Sequence, residues 1–91
     1  MDEKTPLILT DGRSFPCDYA VTNPTMGFLF LALRTTDLLA VVSAFADPAL
    51  FTEIRHGADI FTGYTVFVNV TREAADQYKV FLRRPYENEV I

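Results

Sequence analysis

His56 is the only histidine of the 91-residue chain, and Asp59 follows it by three residues. A general base needs a partner that orients it and a pocket that holds the reacting atom. His56-Gly57-Ala58-Asp59 reads instead as a turn between strands, so the expected imidazole is an exposed turn residue. Cys17, the only cysteine, would be a nucleophile only with a lowered pKa. It alternates with Phe15 and Tyr19, which makes it a small buried thiol. The carboxylates are dispersed, and one His with one Cys does not supply a metal-ligand cluster. Gly12, Gly27, Gly57 and Gly63 are isolated and form no phosphate loop. Arg83-Arg84-Pro85, with Lys79, is a small cationic strip at a strand end, read as a solvated face. No catalytic, cofactor-binding or metal-binding residue is assigned, no cofactor is expected, and an enzyme ranks third among the functional readings.

Composition leads the same way. Apolar residues make up 49% of the chain, with 8 Phe and 4 Tyr, and charged residues 22%. At this size folding can hide roughly 64% of the unfolded surface, enough for a core without staples. One domain over residues 1–91 is expected, ordered from about 6 to 85, with short polar termini. Five acids and three bases in residues 1–45, then seven and five in 46–91, leave each half at −2. The apolar share argues against a disordered chain, and the even acid excess against a nucleic-acid partner. A single cysteine forms no internal disulfide, and a reducing compartment is the simplest reading. The start Met-Asp-Glu-Lys-Thr-Pro lacks the features of a secretory signal. The apolar stretch from Met26 to Ala46 is broken by Arg34, Thr35, Thr36 and Asp37, so no membrane span is expected.

The elements that must position these residues follow from periodicity. A hairpin over 7–21 is expected, closed by a two-residue type I′ turn at Asp11-Gly12, with Thr10 opposite Arg13 and Ile8 opposite Phe15. Phe15, Cys17, Tyr19 and Val21 then share one face, and Pro16 marks an edge strand or an interruption. The apolar run within 27–34 reads as a strand covered on both faces. Helix 37–46 takes Thr36 as N-cap and buries Leu38, Val41, Val42 and Phe45; Pro48 ends it. A short strand over 50–55 precedes the His56–Asp59 turn.

The last hairpin, 61–84, is the best specified. With Arg72–Gln77 as its loop, Val70 meets Tyr78, Val68 meets Val80 and Val66 meets Leu82. The opposite face then pairs Phe67 with Phe81 and Asn69 with Lys79. A half-buried hairpin has no need of two phenylalanines on its second face. Either the helix or another strand covers that face within the chain, which is the preferred reading, or a partner does, and Phe67, Phe81, Asn69, Lys79 and Arg83 are then the protein-contact face. The fold class is α+β: an antiparallel sheet of about five or six strands with one helix.

The order of motifs resembles a family of small proteins, roughly 100 residues, from the tail-module region of tailed bacteriophages and Firmicutes prophages. The resemblance rests on Leu9-Thr-Asp-Gly-Arg-Ser-Phe15, Phe28-Leu-Phe-Leu-Ala-Leu33 and Phe45-Ala-Asp-Pro48, then on Gly63-Tyr-Thr65 and Val80-Phe-Leu-Arg-Arg-Pro85. It covers most of residues 7 to 85, and its motifs are structural. It implies a viral structural or assembly-associated protein without a cofactor, acting by contact with protein partners that include copies of itself. No small-molecule substrate is expected. The expected location is the cytoplasm of a bacterial host, with incorporation into a virion. The alternative is a small acidic regulatory or inhibitor-type binding protein, whose association would be salt-sensitive.

Overall fold

The computed structural model describes residues 5–23 and 25–86. Seven strands form one antiparallel sheet: β1 (Thr5–Ile8), β2 (Ser14–Asn23), β3 (Phe28–Arg34), β4 (Glu53–His56), β5 (Asp59–Thr62), β6 (Val66–Ala74) and β7 (Gln77–Arg83). Helix α1 (Leu38–Ala44) and a 3₁₀ turn (Pro48–Phe51) lie between β3 and β4. The strand order is β5-β4-β1-β2-β3-β7-β6. The α+β reading and the antiparallel sheet hold. The sheet has seven strands and not five or six, because 53–62 forms a hairpin of its own and the last hairpin, expected over 61–84, begins only at Val66.

The first hairpin differs from expectation by one residue. Gly12 has φ +92°, while no non-glycine among the described residues has positive φ. A type I′ turn would need Asp11 at positive φ as well, so that turn is not formed. Instead the Gly12 N–H donates to the Leu9 carbonyl and the Leu9 N–H to the Arg13 carbonyl, both at 2.9 Å. Thr10-Asp11-Gly12 is thus a three-residue loop with glycine in the left-handed position. Leu7 now meets Phe15 and Ile8 meets Ser14. Leu7 and Leu9 enter the core, and Ile8 turns outward.

Pro16 sits in an interior strand, not at an edge. It lies opposite Pro6, which also has no N–H to donate, and the β2–β3 ladder begins only at Cys17. Neither ladder asks Pro16 for a donor.

The core lies on one face of the sheet. Leu29, Leu31 and Leu33 of β3, Val80 and Leu82 of β7, and Leu7, Phe15, Cys17 and Ile54 pack with Val41, Ala44 and Phe45 of the helical segment and with Phe51. The helix is shorter than expected. Its N-cap is Asp37, whose Oδ1 accepts from the Ala40 N–H at 3.0 Å, and not Thr36. The buried stripe is Val41, Ala44 and Phe45, leaving Leu38 and Val42 exposed. Asp47 then caps the 3₁₀ turn, where Pro48 occupies the first turn and replaces the start of the expected strand 50–55. The 3₁₀ turn is tied to the first hairpin loop: Thr10 N–H donates to the Leu50 carbonyl at 3.1 Å, and Thr10 Oγ1 accepts from the Glu53 N–H at 2.9 Å.

No helix among the described residues is long and apolar enough to cross a membrane. The expected polar termini fall largely outside the described residues.

Candidate protein-contact face

α1 and the 3₁₀ turn both pack on the core side, so neither covers the other side of the central strands. Register places the residues of that side in rows across β2, β3, β7 and β6. Asn23, Phe28, Arg83 and Val66 form the first row, and Val21, Phe30, Phe81 and Asn69 the second. Tyr19, Ala32, Lys79 and Thr71 form the third; Arg34, Gln77 and Ala74 close the face.

The middle rows are aromatic. Phe30 and Phe81 meet edge to face with ring centroids 5.0 Å apart, and Phe28 lies 5.9 Å from Phe30. Such pairs contribute about 0.5–1.5 kcal/mol beyond area burial. All three rings are half-buried, while Val21 and Tyr19 are exposed at 48% and 37%. The surface is therefore apolar, ordered by ring contacts, and still accessible.

Cations frame it. Lys79 Nζ stands 5.9 Å from the Phe81 ring centroid and 3.2 Å from Glu73. The Tyr19 hydroxyl, and then the Glu73 carboxylate, raise the Lys79 ammonium above its ordinary range. Arg83 stacks over the Tyr86 ring at 4.0 Å.

A polar staple closes the opposite end. Asp18 accepts from Arg34 Nη2 and, at 2.6 Å, from Gln77 Nε2, while Arg34 Nη1 reaches Asp76 at 3.0 Å. Asp18 and then Asp76 hold the Arg34 guanidinium above its ordinary range. Asp18 reaches this position because β2 bulges there. Cys17 pairs with Leu33, and the next paired residue, Tyr19, meets Ala32. The extra residue reverses the alternation, so Tyr19 and Val21 leave the Phe15/Cys17 face that sequence assigned them.

Four of the five expected contact residues, Phe81, Asn69, Lys79 and Arg83, share this face. Phe67 does not. It lies opposite Leu82, on the core side, and Asn69 is the residue opposite Phe81. The expected register failed because β6 runs on to Ala74 and is irregular between Phe67 and Asn69. Val70 consequently pairs with Val80 and not with Tyr78. Sequence reasoning missed Phe28, Phe30, Tyr19 and Val21. Phe28 and Phe30 had a readable signal: one short helix covers one face of a sheet, which leaves the second face of an all-apolar strand without cover.

The residues weighed for catalysis are elsewhere. Cys17 is 1% exposed, its thiol directed to the Tyr19 carbonyl at 3.1 Å, and burial pushes its pKa up to about 11. His56 ends β4 opposite Leu7 and Asp59, half-buried and not in an exposed turn. The turn between β4 and β5 is the two residues Gly57-Ala58. Among the described residues no pocket is found and no group of three or more metal-ligating side chains converges. Comparison with protein-family models, curated proteins and solved structures finds no match to this chain.

Proposed function

We propose that the chain is a noncatalytic, phage-derived structural or assembly-associated protein that acts through protein–protein contact on the Phe28/Phe30/Phe81 face. The observation that carries this reading is an aromatic cluster on the side of the sheet opposite its helix. A sheet face serving only as solvent boundary alternates to polar residues. This one instead sets aromatic rings at its centre and Lys79, Arg83 and Arg34 around them, a composition suited to a buried contact with a polar rim. The phage assignment rests on the resemblance of the motifs, and its place of action is a bacterial cytoplasm with delivery into a virion.

Mass spectrometry of particles purified from an induced lysogen carrying this gene tests the reading. We expect the chain at stoichiometric copy number, and we expect Phe81→Glu to remove it from particles while the protein is still made and folded. Expression without incorporation would overturn the virion assignment. Incorporation indifferent to Phe81→Glu would remove the face from the contact.

A further inference from the structure

Among the described residues the sheet has two open edges of different character. One is β5, four residues beginning with Asp59. The other is β6, nine residues, of which Val66–Thr71 carry no charge, no proline and no glycine. Phe67 and Val68 on that edge are exposed at 38% and 42%. A long uncharged edge of β-branched and aromatic residues is a template for strand addition, and soluble proteins cover or break such edges. β6 is irregular at two places within its length, between Phe67 and Asn69 and between Arg72 and Ala74, and Asn69–Arg72 between them pairs regularly with β7.

We propose that this edge is covered by β6 of a second copy, paired antiparallel about a two-fold axis at Val70. The choice of occupant comes from register. The axis at Val70 sets Asn69 beside Thr71 of the other copy, and Val66 beside Ala74; in each pair both residues belong to the aromatic side of the sheet. Val70 meets its own equivalent on the core side. An axis one half-step away would oppose Asn69 to Val70, which face opposite ways. The same register places Arg72 and Glu73 beside Val68 and Phe67 of the partner, so no like charges face each other. The short β5 edge covers less than half of β6, whereas β6 matches itself in length and closes the assembly. The pairing joins two sheets edge to edge and extends the aromatic face across the junction. It does not depend on what that face binds.

Sedimentation equilibrium of the full chain over a concentration series, with two double variants, decides the matter. Asn69 and Thr71 are exposed, but Thr71 lies opposite Lys79 of the same chain, so circular dichroism and urea midpoints of both variants verify that the fold is kept. N69K/T71K sets lysine opposite lysine twice across the axis, and we expect dimerisation to weaken at least about tenfold. N69K/T71E sets opposite charges there and is expected to retain the dimer. Net charge works against a trivial explanation: N69K/T71K moves the chain from −4 to −2, which reduces overall repulsion, while N69K/T71E leaves it at −4. A wild-type chain that remains monomeric to about 1 mM overturns the proposal. So does a dimer that the two variants weaken equally, or that neither weakens.

Discussion

Cys17 shows how burial turns a reactive residue type into a structural one. The thiolate is the nucleophile, and burial holds this thiol protonated with a pKa pushed up to about 11 from 9.0. In the unfolded chain the thiol ionises near 9.0, so between that value and about 11 the folded state retains a proton the unfolded state has lost. Its contribution to stability is therefore complete below the lower value and is lost as pH rises through the window. Urea midpoints should fall between about pH 8 and about pH 10.5, and Cys17→Val should flatten that slope. A thiol reagent at neutral pH should leave the native chain unmodified and label it in denaturant. Asp18 is the converse case, a carboxylate used for position. Its side chain is 12% exposed and accepts from both Arg34 and Gln77, so it links β2, β3 and β7. Asp18→Ala leaves two donors without this acceptor and should cost about 1–3 kcal/mol in urea unfolding.

Among the elements, those defined by an uninterrupted pattern were legible and those defined by an irregularity were not. Strand 27–34 and the helix near 37–46 appear close to where the residues place them, as Phe28–Arg34 and Leu38–Ala44. The helix cap was misplaced because Thr36 and Asp37 are both good caps, and the choice depends on which side chain reaches Ala40. Asp37→Ala should lower stability by about 1 kcal/mol, whereas Thr36→Ala should have little effect, as read by thermal unfolding. Bulges were illegible for a physical reason. A bulge adds one residue to a strand without changing composition, so alternation reads straight through it. That single mechanism hid Tyr19 and Val21 in β2 and exchanged Phe67 for Asn69 in β6. The loop at Gly12 acted similarly: glycine at φ +92° was foreseen, but the loop took one more residue than the shortest turn allows.

For the whole molecule, the two faces of one sheet carry separate burdens. The core face holds the fully buried Leu29, Leu31 and Leu33 beneath α1, and the second face holds half-buried rings. Leu31→Ala should cost about 2–5 kcal/mol because it opens a cavity in a closed layer. Phe81→Ala should cost less, since part of its ring already meets water and the loss is mainly contact with Phe30. Paired urea titrations of these variants measure how far stability and surface chemistry are divided between the faces. Composition pointed to an apolar surplus, but only the strand order shows where it resides. The rings of β3 and β7 become neighbours because β7 returns beside β3 after the chain has built β4, β5 and β6.

That strand order also dictates a schedule for folding. β1, β2 and β3 follow one another in sequence and in the sheet, so their ladders close over short loops. The hairpins β4–β5 and β6–β7 are equally local. The two remaining ladders are not: Leu7 must find His56, and Leu33 must find Tyr78. Closing those long loops costs chain entropy before any contact repays it. The meander thus acts as a template with two open flanks, and each later hairpin docks on its own flank. Substitutions at the β3–β7 seam should slow refolding, while those confined to the outer strand of either hairpin should chiefly quicken unfolding.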